Sequence, residues 1–179
     1  MQLEEEKIML KKFIDEDYNR NPFKEFGSNY ALVTAGGKDG YNPMTISWGT
    51  IGVLWNKNVA IIFIRPERKT MEYIQKNPKF TISFFDGKYM EELKLAGRIS
   101  GHDYKDKFSE IGLNAIYDVD ADVYYAKEAS YVLKCTKLYM GDINSDGFVD
   151  KSLIEKFYKE QGFHKIIVAQ INTYLVKED

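Results

Sequence analysis

A basic cluster lies in the segment RPERKT, residues 65–70, where an apolar run ends and a stretch with helical spacing begins. Arg68, Lys69 and Thr70 would occupy the first turn of that helix. The free N–H groups and partial positive charge of a helix N-terminus attract anions and disfavour cations. A bound phosphate group would account for cations at this position, because charged donors bind its oxygens strongly. Phosphate binding, with Arg65 as a further donor, is therefore one interpretation of the segment.

The same segment has a second interpretation, a solvated basic helix start whose charges pair with Glu67 and Glu72. The segment alone does not decide between the two. No GxGxxG follows a strand and no GxxxxGK[ST] is present, so a Rossmann or P-loop phosphate site is excluded.

A second candidate for an anion-facing loop is SGHDYKDKF, residues 100–108. Ser100 would offer a hydroxyl, Gly101 would allow close approach of the main chain, and Lys107 would add positive charge. A plain polar loop before a helix is the alternative, and for this segment alone it is the stronger interpretation. His102 does not indicate a metal site, because the only other histidine is remote in sequence and no ligand cluster accompanies it.

Small polar residues interrupt the apolar segment NPMTISWGTIG, residues 42–52. Strand side chains alternate between two faces, and buried strands favour β-branched apolar residues. Two hydroxyl side chains and a glycine on one face therefore indicate that this face does not simply pack in an apolar core. That face would carry Thr45, Ser47 and Gly49, and the other Met44, Ile46 and Trp48.

The segment DINSDGFVDKSL, residues 142–153, has the Asp and Asn spacing of a calcium loop. Its twelfth position holds Leu153, where such a loop needs a bidentate glutamate. A tight turn rich in Asp, Asn and Gly is the better interpretation.

The elements that would position these residues are mostly short strands joined by turns. Because they do not alternate regularly with helices, a doubly wound parallel sheet is not expected. We predict a mainly β (α+β) fold, an antiparallel barrel or sandwich with peripheral helices. Strands are predicted at 30–35, 44–55 (one strand or a bent pair), 59–64, 79–85, 120–143 (two or three) and 165–176. Helices are predicted at 3–19, from Pro66 to Asn77, at 106–113 and at 150–162, with a break between Pro22 and Gly27.

Length and composition fit a single domain, residues 1–179, with 44% hydrophobic residues to form a core. The formal net charge of −2 gives no indication of nucleic acid or an anionic membrane as partner. No signal peptide or apolar run of about 20 residues is present, so we expect a cytoplasmic protein. The single cysteine, Cys135, excludes an internal disulfide and is expected to be a packed or half-exposed structural thiol.

Five segments together resemble the flavin reductase-like, FMN-binding split-barrel proteins, with the flavoredoxin-type branch most similar. They are NPFKEFG, NPMTISWGTIGVLW, IRPERKTMEYI, FTISFF and SGHDYKDKF, in that order. The resemblance is strong over Asn21–Leu113 and looser towards the C-terminus. The combination of MTxSWG with RPxRxT at this separation is its most specific part.

The resemblance implies a split β-barrel that forms a homodimer and binds FMN non-covalently at or near the subunit interface. It assigns the strand at residues 42–48 to the isoalloxazine ring, and the two basic segments to the phosphate and ribityl chain. The implied FMN contacts are Asn42, Met44, Thr45, Ser47, Trp48, Arg65, Pro66, Arg68, Lys69, Thr70, Ser100, Gly101 and Lys107.

The chain departs from the family pattern at three positions near these segments, and its spacing from Gly101 to Lys107 is one residue longer than the commonest form. The family commonly has Tyr where Lys69 stands, Arg where His102 stands, and in many members Cys where Ala96 stands. No side chain is predicted to act as an acid or base.

Three functions remain open at this point. The first is an oxidoreductase that moves hydride from NAD(P)H through FMN, as the resemblance implies. The second is a flavoredoxin-like carrier that exchanges electrons with a redox protein partner. The third is a non-catalytic barrel that binds a flavin or another ligand.

Overall fold

The computed structural model describes the backbone of residues 8–12 and all atoms of residues 19–177. Within these residues the chain forms ten strands and five α-helices. The strands are β1 (Ile8–Lys12), β2 (Ala31–Gly37), β3 (Gly40–Ile46), β4 (Gly49–Leu54), β5 (Lys57–Ile64), β6 (Lys79–Phe84), β7 (Ala115–Asp118), β8 (Val123–Ala126), β9 (Tyr131–Asp142) and β10 (Lys165–Lys177). The helices are α1 (Pro22–Gly27), α2 (Lys69–Lys76), α3 (Met90–Arg98), α4 (Lys107–Glu110) and α5 (Ser152–Phe157).

One antiparallel sheet contains eight of these strands, and its path runs β3-β2-β6-β9-β10-β5-β4 with β1 paired to β10. The first and last strands of the path are consecutive in the chain, and only Ser47 and Trp48 join them. The sheet therefore curls until its two edges meet at a gap, which makes a split barrel. The fold class predicted from the sequence is confirmed. None of the described helices is long and apolar enough to cross a bilayer.

Strand alternation divides the apolar residues between two cores. On β2, Ala31 and Val33 face the barrel interior, whereas Leu32 belongs to a second cluster on the outer side. Phe26 of α1 and Met71 and Ile74 of α2 pack against the interior cluster. The outer cluster joins α3, α4 and the β7–β8 hairpin to the sheet, with α3 and α4 beside β3 and β8 against β2 and β6.

Helix α2 starts at Lys69 rather than at Pro66. The residues before it form a turn in which Arg68 N–H donates to the Arg65 carbonyl oxygen at 3.2 Å. Arg68 is thus the N-cap residue, and Lys69 and Thr70 are the first two helical residues. The predicted end of the helix at Asn77 is confirmed.

Other sequence predictions of helices are wrong in part. Residues 8–12, predicted helical, form strand β1, because pairing with β10 overrides a local helical pattern. Residues 3–7 and 13–18, the other parts of that predicted helix except Asn19, lie outside the described residues. The predicted break at residues 22–27 is helix α1, in which Asn21 Oδ1 accepts from Phe23 N at 3.0 Å and Pro22 opens the first turn.

Two helices also differ from the prediction nearer the site. Helix α3 was not predicted from its sequence. Helix α5 ends at Phe157, before the predicted end at Gly162.

Candidate functional site

The N-terminus of α2, strand β3 and the loop after α3 surround a cavity of about 250 Å³, called here the anion cavity. Residues of the two basic segments, 65–70 and 100–108, lie together in its wall. Its lining residues are Asn42, Met44, Glu67, Arg68, Lys69, Thr70, Ile99, Ser100, Gly101, Lys107 and Gln161.

Asn42 connects the walls of the anion cavity. Its Nδ2 donates to Thr70 Oγ1 at 2.7 Å and to the Pro43 carbonyl oxygen at 3.0 Å, and the side chain is buried. This contact ties the first turn of α2 to β3. Gly101 lies so close that a Cβ atom there would overlap the Asn42 amide. Glycine is therefore the residue that lets this loop approach β3.

Lys107 is a buried cation without an acidic partner among the residues that the structure describes. Its side chain is 3% exposed, and Nζ donates to the Ala96 carbonyl oxygen at 2.7 Å. Burial, and then the positive charge of Arg68, lower the pKa of Lys107 to about 8. At pH 7 the ammonium is still mostly charged. A buried charge of this kind is costly unless something compensates it, and an anion in the cavity would do so.

Arg68 lines both the anion cavity and a second one beside it. Its Nη2 donates to the Gly97 carbonyl oxygen at 3.2 Å, which leaves other guanidinium N–H groups available. Met44 is the other residue that the two cavities share. A ligand with an anionic end could therefore extend from one cavity into the next.

The second cavity, called here the slot cavity, has a volume of about 220 Å³ and lies between the end of β3 and the end of β5. Thr45 Oγ1 donates to the Leu93 carbonyl oxygen at 2.5 Å, so its hydrogen is already committed to α3. Ser47 is exposed. The predicted division of faces is correct here: Met44 packs into the core and Thr45 faces α3. The lining residues are Met44, Thr45, Ile46, Ser47, Trp48, Phe63, Arg65, Arg68 and His164.

His164 is a site residue that sequence reasoning missed. It is buried, its ring centroid lies 5.0 Å from that of Trp48, and its Nδ1 is 3.2 Å from the Tyr158 hydroxyl oxygen. Burial, and then the charges of Arg65 and Arg68, lower the pKa of His164 to about 4. The imidazole is therefore neutral at pH 7. The antiparallel pairing of Lys165 with Ile64 sets His164 next to Arg65, and only that strand pairing could have revealed it.

Arg65 has a different environment from the other basic residues. Its Nη1 donates to the Gly162 carbonyl oxygen at 2.5 Å and its Nη2 to the Phe157 carbonyl oxygen at 3.1 Å. The guanidinium carbon lies 5.6 Å from the centroid of the Tyr158 ring. Arg65 borders the slot cavity and is not among the residues lining the anion cavity, and Pro66 lines neither.

A model of the flavin reductase like domain matches residues 23–179. The chain belongs to the flavin reductase-like family. A comparison with curated proteins finds no match.

Solved structures share the fold of this flavin reductase-like chain at low sequence identity. Flavoredoxin of Desulfovibrio vulgaris is 18% identical over 93% of this chain and 78% of its own, with a TM-score of 0.65. An FMN-binding protein from Thermus thermophilus with bound p-hydroxybenzaldehyde is 18% identical over 92% and 78%, with a TM-score of 0.62. An NADH:FAD oxidoreductase from Streptomyces globisporus, in complex with NAD and FAD fragments, is 17% identical over 85% and 76%, with a TM-score of 0.60.

The three positions at which the sequence is expected to depart from the family pattern lie at the anion cavity or next to its lining residues. Lys69 lines it and adds a cation. His102 is exposed at its rim, with Nε2 3.4 Å from Glu72 Oε1. Ala96 is buried, and its carbonyl oxygen accepts the hydrogen bond from Lys107. Arg68, Lys69 and Lys107 therefore give the cavity three basic lining residues.

The Cys135 thiol and the calcium-like segment 142–153 have structural positions in the fold. Cys135 is packed in the barrel interior, where burial raises the pKa of its thiol. The calcium-like segment forms a 3₁₀ turn at Ser145–Gly147, as the turn interpretation predicted. Asp142, at its start, bonds to Lys165.

Proposed function

We propose that this chain is an FMN flavoprotein that binds the cofactor non-covalently, with the phosphate in the anion cavity and the isoalloxazine ring along β3 in the slot cavity. The observation that carries this proposal is the buried ammonium of Lys107, which shares a cavity with Arg68 and has no described carboxylate partner.

The groups in the anion cavity fit a phosphate monoester. Arg68, Lys69 and Lys107 supply positive charge, and the N-terminus of α2 supplies main-chain N–H groups. Ser100 Oγ accepts from His102 N at 3.2 Å, so its own hydrogen is free to donate. Thr70 is held by Asn42 at the same end of the helix. The donors therefore converge from two segments of the chain.

The slot cavity fits a planar ring system that needs few charged contacts. Met44, Thr45 and Ser47 present main chain and small side chains along one wall, and Trp48 and the neutral imidazole of His164 stand at the other end. Bound FMN would supply hydride and electron transfer at its N5 position. The chain's own residues would bind and orient the ring, and the hydroxyl of Ser47, directly after β3, is a lining donor without a hydrogen-bond partner among the described residues.

An NAD(P)H-dependent oxidoreductase is the reaction class that we favour, supported by the family and by the fold shared with an NADH:FAD oxidoreductase. The second candidate is an electron carrier acting with a redox protein partner, supported by the fold shared with flavoredoxin. A non-catalytic flavin-binding barrel is the third.

The visible absorption spectrum of the purified protein tests the proposal, before and after FMN addition and desalting. We expect a retained flavin band and release of FMN on denaturation. Anaerobic titration with NADH and with NADPH then separates the reaction classes, because a carrier would consume neither at a useful rate. Failure to retain FMN would contradict the proposed cofactor.

We further propose that the chain acts as a cytoplasmic homodimer. The β4–β5 hairpin exposes Val53 and Trp55, whose side chains are 69% and 57% accessible. Burial of such side chains against a second copy would be favourable. Analytical ultracentrifugation of the wild type and of the Val53→Lys, Trp55→Lys double variant tests this. We expect a dimer for the first and a monomer for the second, and a monomeric wild type would contradict the proposal.

A further inference from the structure

Residues 148–162, called here the strap, lie between β9 and β10 in the chain and contact the walls of both cavities. Gln161 lines the anion cavity. Phe157 packs edge-on against Trp48 at the slot cavity, with ring centroids 5.4 Å apart at 87°. A ligand that filled both cavities would therefore lie beneath this segment.

No residue of the strap is buried, and Phe148, Ile154 and Tyr158 are its half-buried residues. Phe148 and Tyr158 form an aromatic cluster with Phe163, which directly follows the strap, with ring centroids 4.7–5.9 Å apart. No residue of α5 is buried. A compact surface segment with its own side-chain packing and little buried contact can open as a unit at low cost.

Arg65 attaches the strap to the end of β5. Its two hydrogen bonds reach the carbonyl oxygens of Phe157 and Gly162, which lie on either side of Gln161, and its guanidinium stacks on Tyr158. Hydrogen bonds from a charged donor are stronger than neutral ones. Arg65 is thus the strongest polar attachment between the strap and the barrel among the described residues.

We infer that Arg65 is a positioning residue that latches the strap over the flavin site and sets the rates of flavin entry and release. This inference rests on the proposed FMN binding. It differs from a phosphate contact for Arg65, because the guanidinium already donates to main-chain oxygens of the strap.

The two roles predict different kinetics. A latch holds a cover closed in the free and the bound protein, so its loss increases the association and dissociation rate constants together and changes Kd little. A phosphate contact stabilises only the bound state, so its loss increases dissociation and weakens Kd. Riboflavin, which lacks the phosphate, separates the roles further: a latch acts on riboflavin and FMN alike.

Stopped-flow measurement of flavin fluorescence with FMN and with riboflavin tests the inference. For Arg65→Met we expect both rate constants to rise about tenfold for each flavin. The free energy of one charged hydrogen bond corresponds to about a tenfold change in how often the strap opens. Arg65→Lys should give an intermediate change. The matched control is Lys159→Met, an exposed strap residue whose ion pair is with Glu155 on the strap itself, and it should leave both rates unchanged.

Phe157→Ala provides a second variant that does not disturb β5. Loss of its contact with Trp48 should also raise both rate constants. Unchanged rates in Arg65→Met and Phe157→Ala, with normal flavin binding, would overturn the latch alone. An increase in dissociation confined to FMN would show a phosphate contact and also overturn it. Absence of flavin binding in the wild type would overturn the proposed function and the latch together.

Discussion

Lys107 and Arg68 donate to consecutive main-chain carbonyl oxygens at the C-terminal end of α3, those of Ala96 and Gly97, at 2.7 and 3.2 Å. The negative end of the helix dipole partly compensates the two cations there. Neither interaction uses all the donors of its side chain. The helix end thus holds both cations in place while their remaining N–H groups face the anion cavity.

Binding of FMN should depend on pH through Lys107. Burial and Arg68 lower its pKa to about 8 in the free protein, and a bound phosphate would favour the charged form. Above pH 8 binding must therefore take up a proton. We expect a constant affinity from pH 7 to 8 and a decrease of up to about tenfold per pH unit above it, measured by fluorescence titration.

Two controls accompany the pH titration. Riboflavin should show no such decrease, because it carries no phosphate. Lys107→Met should bind FMN more weakly at pH 7 and lose the dependence above pH 8. A wild-type affinity that stays flat to pH 9.5 would exclude Lys107 as a phosphate contact.

Arg68→Ala should weaken FMN binding by roughly 1.5–3 kcal/mol, the value of one charge-assisted hydrogen bond. Equilibrium dialysis at fixed ionic strength measures the change. Lys76→Ala is the matched control, because Lys76 is an exposed cation at the opposite end of the same helix. Equal affinities for the wild type and Arg68→Ala would count against the anion cavity as the phosphate site.

Gly101→Ala should destabilise the protein by about 1–3 kcal/mol, because the new methyl group overlaps the buried Asn42 amide. Displacement of Asn42 would also break its bond to Thr70. Urea denaturation gives the free energy of unfolding. Gly52→Ala should change it little, since no atom lies within 4 Å of the added group. A fully stable Gly101→Ala protein would mean that the loop can move away from β3.

Stability should fall as the pH decreases from about 6.5 to 4, in part through His164. Its pKa is about 4 in the folded protein, against about 6.5 in the unfolded chain, so the unfolded chain binds the proton first. The contribution is fully present above pH 6.5 and has a limiting slope of about 1.4 kcal/mol per pH unit. His164→Asn should remove that part of the slope in urea denaturation. His102→Asn, at an exposed histidine, is the control, and identical slopes for all three proteins would refute the assignment.

The sequence was sufficient for features that depend on a few neighbouring residues. Short apolar runs between turns predicted the strands at β2, β5, β6 and β10, and alternation predicted the two faces of β3. The basic segments at 65–70 and 100–108 were each ambiguous alone. Their convergence on one cavity depends on strand order, which no local pattern encodes.

Features that depend on distant pairing were not predicted. Strand β1 forms because β10 offers a partner, although its own sequence favours a helix. The partners of Arg65 lie more than ninety residues later in the chain. His164 becomes a site residue only through the pairing of β10 with β5. In each case the deciding interaction joins segments whose separation hides it from a local pattern.

The link between β3 and β4 consists of Ser47 and Trp48 alone, and the slot cavity lies beside it. A residue spans at most about 3.5 Å of extended chain. The distance between the end of β3 and the start of β4 is therefore limited by covalent length and not by a hydrogen-bonded ladder that could slip. Inserting one residue would let these two strand ends move apart and would also reverse the faces of the strand that follows. A barrel of this design can change which ring it accepts by altering the side chains of its walls, but the separation of its two edges at this point is fixed by the count of residues between two strands.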